Sequence, residues 1–216
     1  MSTDALRAQL EEGAQVLGLV LSAAQIDQLM AYLDLLRKWN KVYNLTSVRD
    51  PQEMLTHHLL DSLSVLPPLL RQLGGQPARL LDVGSGGGLP GVVIAIAAPQ
   101  VSVSCVDTVS KKASFIQQVA ASLRLPNLRG IHARVENMTE SFDVVSSRAF
   151  ATLVDFVALS EHRLAEGGVW MAMKARTVEQ ERAMLPASVE VFHVEPLSVP
   201  GLNEERHLVW MRKRGA

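Results

Sequence analysis

The sequence predicts an α/β protein, a doubly wound and mostly parallel sheet with an N-terminal helical extension. Two observations predict it. From residue 76 onward short apolar runs alternate with helical segments, the pattern of strands that cross over through helices and are covered on both faces. The first of those runs ends in the bare backbone LDVGSGGGLPG at 81–91. Upstream the apolar period is helical instead. A chain of 216 residues, 48% of them hydrophobic, is long enough to bury one such core with a small helical appendage.

The elements follow in order. Leu29, Leu33 and Leu36 recur at helical spacing behind Ser22 as N-cap, and Asp50-Pro51 starts a further helix through His57 and Leu63. Pro67-Pro68 breaks or turns the chain. Gly74-Gly75-Gln76-Pro77 is the linker, which divides a helical region at 1–75 from a sheet domain at 76–216. Strands are expected at 79–83, 101–106, 128–132, 142–147 and 168–173, with helices between them, one of these at 110–123. The tail differs: 189–194 and 207–211, joined by SVPGLNEE, suit a hairpin-like pair at one edge.

Composition narrows the classes. The longest apolar runs, such as 92–98, are far shorter than the ~20 residues of a membrane span, and the start MSTDALRAQLEEG lacks a leader pattern, so a cytoplasmic protein is expected. Cys105 is the single cysteine, which permits no internal disulfide or thiolate cluster, and its place in a strand predicts a core position. The formal charge of −1 announces no polyanion partner, but its distribution is uneven. Residues 1–36 hold five acids and one base, whereas 37–49 hold Arg37, Lys38, Lys41 and Arg49 with no acid, a local positive patch.

Ligands of such a sheet bind beyond the carboxyl ends of its strands, which draws attention to Gly84, Asp107, 133–136, Arg148 and Lys174. The glycine loop fits two adenosine ligands. Gly86, Gly88 and Gly91 satisfy the dinucleotide fingerprint, while Asp82 with Gly84, Gly86 and Gly88 satisfies the acidic loop associated with S-adenosylmethionine. Pro90 fits the first turn of the next helix, whose free N–H groups favour an anion. Asp107, sixteen residues after Gly91, is placed to accept both ribose hydroxyls or, alternatively, to cap the next helix. Glu136 in HARVEN can meet the adenine amino group or stand in solvent. A dehydrogenase would often carry Tyr-x-x-x-Lys, yet neither Tyr32 nor Tyr43 has Lys four residues on. A carboxylate at Asp82 also suits an ammonium group better than a pyrophosphate.

These segments resemble a known family. LLDVGSGGGLPG, VDTVSKKASFIQQV, HARVEN, SSRAF at 146–150 and RLAEGGVWMAMK look like the class I methyltransferase fold, and together with WNKVYNLTSVRD and HHLLDSL they resemble the family of ribosomal RNA small-subunit methyltransferase G. The resemblance covers nearly the whole chain. It implies S-adenosylmethionine as cofactor and methylation of guanine N7 in the decoding region of 16S rRNA, within the small ribosomal subunit or an assembly precursor. It implies cofactor contacts at Gly84, Leu89, Val135, Glu136 and Arg148, to which the loop and strand-end readings add Gly86 and Asp107; no membrane partner and no metal are expected, and the chain is expected to be a monomer. Alternatives left open are a small-molecule methyltransferase and a nicotinamide-dependent oxidoreductase.

The chemistry agrees with that reading from another side. Guanine N7 carries an in-plane lone pair and needs no deprotonation, so catalysis can rest on alignment and no catalytic base is expected. The chain has no N-P-P-Y motif and no Pro-Cys nucleophile. Arg148 is expected to meet cofactor or phosphate, or else to pair with a helix acid. His57 and Asp61, four apart, are expected to form a buried hydrogen bond. Trp39 and Tyr43 are candidates to stack on a base or to join the core. Arg37, Lys38, Lys41 and Arg49, with Lys111, Lys112, Lys174 and Arg176 near the cofactor end of the sheet, are the expected phosphate contacts.

Overall fold

The computed structural model describes residues 2–148, 152–175 and 179–215. Their strands are β1 (Ala78–Val83), β2 (Val101–Asp107), β3 (Leu128–His132), β4 (Phe142–Ser147), β5 (Leu164–Lys174), β6 (Val189–Pro196) and β7 (His207–Lys213), joined in one sheet of order β3-β2-β1-β4-β5-β7-β6. β1 to β5 pair in parallel, while β7 runs antiparallel to both β5 and β6. The expected tail pair is present, and its second strand is the one that joins the sheet, leaving β6 at the edge.

Strand positions match the apolar runs except at β5, which starts at Leu164 and not at 168. The Gly167-Gly168 pair reads as a break, but pairing continues through a register shift between Phe142 and Val144. Such a bulge takes up the extra residues without ending the ladder.

The helices before the sheet are α1 (Thr3–Val16), α2 (Ala23–Tyr43), α3 (Pro51–Met54), α4 (Asp61–Leu63) and α5 (Leu66–Leu73). Ser22 caps α2 through a reciprocal box with Gln25. The helix expected from Pro51 through Leu63 is interrupted by a wider, π-type segment at Leu55–Leu60. The chain turns at 64–65, just before Pro67 and Pro68, which themselves fall in the first turn of α5, where a missing N–H costs nothing.

Those helices lie on the sheet face covered by α6 (Gly91–Ala97) and α7 (Ser110–Ser122), and they share its core: Leu29, Leu33 and Leu36 of α2 are buried with Val92, Ile94, Phe115 and Ile116. Cys105 is fully buried in that cluster, as its strand position predicts. Polar contacts fix the orientation. Gln25 Nε2 donates to the Ile96 and Ala97 carbonyls at 3.0 and 3.1 Å, and Gln28 Nε2 to the Leu123 carbonyl at 3.0 Å, satisfying groups that helix ends leave unpaired. On the opposite face α8 (Leu153–Ser160) packs Phe156 and Val157 onto Leu81, Val145 and Trp170.

Candidate active site

The parallel register aligns the carboxyl ends of β1 to β5 along one edge, and two cavities open there. The first, about 380 Å³, lies beyond β1, β2 and β3 and is lined by Val83, Gly84, Val106, Asp107, Thr108, Val109, Lys112, Ala133, Arg134, Val135, Glu136 and Leu159. Gly84 and Gly86 adopt φ of +66° and +57°, values open to glycine and strained for other residues, and a Cβ at either position would meet nothing within 4 Å. The loop therefore presents backbone, without side chains, to the open side.

Asp107 lines the cleft and braces the turn before α7 without capping the helix, whose N-cap is Val109 with no side-chain cap. Its Oδ1 accepts the Val109 N–H at 2.9 Å at the start of α7, and its Oδ2 accepts the Gly86 N–H at 3.0 Å, with Lys112 Nζ 3.7 Å away. Each carboxylate oxygen has a second lone pair. Val135 and Glu136 sit on a short 3₁₀ turn, Val135–Asn137, that closes the far wall. An acid with free acceptor capacity, a bare backbone and apolar walls at Val83, Val106 and Leu159 fit a ribose, a close-approaching ligand and an adenine face.

Four of the expected contacts, Gly86, Leu89, Asp82 and Arg148, are absent from this lining. Leu89 is buried behind the loop, and the Gly86 N–H is already engaged by Asp107. Asp82 is fully buried and does not face the cleft: its Oδ2 accepts the Gly91 N–H at 2.9 Å and its Oδ1 accepts the Ser146 hydroxyl at 3.2 Å. Burial pushes its carboxyl up to about 7, partly offset by those two hydrogen bonds. The same contact takes one of the N–H groups at the start of α6 that was expected to stay free for an anion. Arg148 belongs to the second cavity.

That cavity, about 250 Å³, lies between the ends of β4 and β5 and the helical region, with Val48, His57, His58, Asp61, Arg148, Met173, Lys174, Ala175 and Arg206 around it. The expected His57–Asp61 hydrogen bond does not form. The buried Asp61 carboxylate instead binds two guanidiniums, Arg148 Nη1 at 3.2 Å and Arg206 Nε at 3.1 Å, while the His57 backbone carbonyl accepts Arg148 Nη1 at 2.9 Å. A charged acceptor with two charged donors outcompetes an imidazole. His58 Nε2 lies 2.9 Å from Thr46 Oγ1, and burial together with Arg148 lowers the imidazole to about 4, so the ring is neutral near pH 7. The N-L-T segment thus has three roles: Asn44 ends α2 in the left-handed region, Leu45 enters the core and Thr46 meets His58.

Lys174 pairs with Glu181 at 2.9 Å, and Arg37 with Asp34 at 3.1 Å. Lys38, Lys41 and Arg49 are exposed at and beyond the end of α2. Lys111 stands at the start of α7 with its Nζ 5.0 Å from the Tyr43 ring, which brings it to that cluster. Lys112 lines the first cavity. Trp39 packs on Phe115 at 5.3 Å, whereas Tyr43 is 40% exposed. Arg176, with Ala149 and Phe150 of the SSRAF segment, lies outside the described residues. Among the described residues no group of three metal-ligating side chains occurs, and no helix is long and apolar enough to cross a membrane. Arg206, Asp61 and His58 were not expected at the site. The HHLLDSL segment was the sequence signal for His58 and Asp61, and no motif signalled Arg206.

The sheet order, the reversed β7 and the glycine loop beside an acid at the end of β2 define a class I, S-adenosylmethionine-dependent methyltransferase. Solved structures share the fold: the N-methyltransferase NodS from Bradyrhizobium japonicum WM9 (TM-score 0.57, 13% identity, 82% of this chain and 99% of that one) and the ribosomal protein L11 methylase from Lactobacillus delbrueckii subsp. bulgaricus (TM-score 0.53, 16% identity, 76% and 79%). The model of the family described as rRNA small subunit methyltransferase G matches residues 25–209. Proteins named ribosomal RNA small subunit methyltransferase G from Paracidovorax citrulli and from Acidovorax sp. strain JS42 are 62% and 64% identical, over 99% and 94% of this chain and 93% of each relative. The chain belongs to the rRNA small subunit methyltransferase G family, which sets the nicotinamide reading aside.

Proposed function

We propose that the protein transfers the methyl group of S-adenosylmethionine to N7 of a guanine in the decoding region of 16S rRNA, acting as a cytoplasmic monomer on the small subunit or its precursor. S-adenosylmethionine supplies an electrophilic methyl group. Gly84, Asp107, Val135 and Glu136 would hold it in the first cleft, and the acceptor would enter from the second cavity. The observation that carries the choice of acceptor is the state of the bases there. Both oxygens of Asp61 are engaged by arginines, and His58 is bound to Thr46 with a lowered pKa, so neither side chain is left free to act as a general base. An acceptor with a free lone pair needs neither, and alignment can supply the rate.

Exposed Lys38, Lys41, Arg49 and Lys111 are the proposed phosphate contacts, with Arg37, Lys112, Lys174 and Arg176 in support. Radiolabelled S-adenosylmethionine, offered with small subunits from cells lacking this enzyme and with protein-free rRNA, tests the reading. Label in 16S rRNA with borohydride–aniline scission at one guanine is expected, and label without scission rejects N7. In the same system, alanine at both Lys38 and Lys41 should flatten the log–log salt slope of RNA binding by about 0.7–0.9 per lost contact, with cofactor affinity unchanged. An unchanged slope moves the RNA surface to the sheet domain.

A further inference from the structure

The glycine loop is held from three directions. Its own turn closes through the Gly88 and Leu89 N–H groups on the Ser85 carbonyl at 2.8 and 3.1 Å. β2 holds it through Asp107 on the Gly86 N–H. The third tether comes from the helical region: the fully buried Tyr32 of α2 donates its hydroxyl to the Gly87 carbonyl at 2.6 Å. Leu36, one turn further along α2, closes on the same residue so tightly that a Cβ at Gly87 would stand 2.9 Å from its Cδ1.

We infer that Tyr32 is a positioning residue for the cofactor, its hydroxyl fixing from behind the loop whose open side meets S-adenosylmethionine. The inference rests on reading 84–89 as the cofactor loop. A run of glycines has many backbone states, and a ligand that meets it must select one. Tethers that select it beforehand remove that cost and appear as affinity. Burial drives the Tyr32 phenol well above its ordinary range, so the donor keeps its proton at any working pH. Tyr32 is also separable from the anchoring of α2, because Gln25 and Gln28 secure the same helix to the ends of α6 and α7 without touching the loop.

The test compares Tyr32→Phe, the double variant Gln25→Ala with Gln28→Ala, and Gly86→Val, by calorimetric titration with S-adenosylmethionine below every melting temperature. Tyr32→Phe should bind about five- to tenfold more weakly, the usual effect of one lost hydrogen bond, with an unchanged KM for rRNA. The double glutamine variant should melt lower and bind normally. Gly86→Val should not bind. Normal affinity in Tyr32→Phe beside a silent Gly86→Val overturns the role of Tyr32, whereas normal affinity in Gly86→Val overturns the loop assignment itself. Should Tyr32→Phe fail to fold, amide exchange in the unaltered protein decides. S-adenosylmethionine should slow exchange across 84–89 and also across 29–36 of α2, and slowing confined to the loop overturns the inference.

Discussion

The two cavities along one sheet edge are built by opposite means. The first is made of backbone and neighbours in sequence: a glycine loop, the acid that ends the next strand and a turn after the third. Among the described residues its one internal ion pair is the loose contact of Lys112 with Asp107. The second is made of charged side chains brought from afar, since Asp61 meets Arg148 across 87 residues and Arg206 across 145. A backbone site is shaped by local conformation and survives many substitutions around it. A site of converging charges exists only when three elements have already docked.

The largest effect should therefore come from breaking that convergence. Asp61→Ala leaves two guanidiniums facing each other beside the buried helix, and removing one member of a buried pair costs about 3–5 kcal/mol. Arg148 and Arg206 are partly exposed, so water takes up part of the charge and the loss should fall near the lower end of that range or below it. Urea denaturation measures it. Affinity for S-adenosylmethionine should remain, because the first cleft shares none of these residues. A small stability change, or an equal loss of cofactor binding, would merge the two cavities into one unit.

This difference also explains how much could be read from the sequence. β1 to β4, the glycine loop and the positions of Asp107, Val135 and Glu136 at one edge follow from short apolar runs and local turn chemistry. The second cavity does not. Spacing pairs His57 with Asp61 on one helix, but the partners of Asp61 come from just beyond β4 and just before β7, and no local pattern ranks two distant arginines above a nearby imidazole. Arg148 was legible as an important residue, and its alternative reading, pairing with a helix acid, is the one the structure shows, although nothing local named Asp61 as that acid. Tyr32 and Asp82 were hidden for a similar reason: one looks like a core aromatic, the other like a ligand contact, until the loop is folded against them.

A smaller effect should mark the first cleft. Asp107→Ala should weaken S-adenosylmethionine binding by about 1–3 kcal/mol, the range for hydrogen bonds to a charged group. Part of that loss would come through the Gly86 N–H, so Asp107→Asn is the sharper probe: it keeps one acceptor oxygen and should recover some of the affinity. A fall in melting temperature with normal titration in both variants would leave Asp107 as a helix and loop fastener alone.

A pH-dependent effect lies at the seam between the cavities, where Asp82 ties the start of α6 to Ser146 on β4. With its carboxyl at about 7 when folded against 3.8 for the ordinary group, the folded chain keeps a proton between those values that the unfolded chain has released. Stability from this group is then greatest in acid, declines with rising pH by at most about 1.4 kcal/mol per unit, and levels off above 7. The geometry supports a neutral group: a protonated Oδ1 can donate its hydrogen bond to Ser146 Oγ, whose own proton can turn to the Leu81 carbonyl at 3.4 Å, while Oδ2 still accepts from Gly91. Asp82→Asn copies that arrangement, with its amide N–H₂ toward Ser146 and its oxygen toward Gly91, and cannot titrate. Urea midpoints at pH 5, 6.5 and 8 should bring the variant close to the natural protein in acid and carry it progressively above as pH rises. Parallel curves would mean that Asp82 is ionised throughout, and that the seam is held by a buried charge, as the second cavity is.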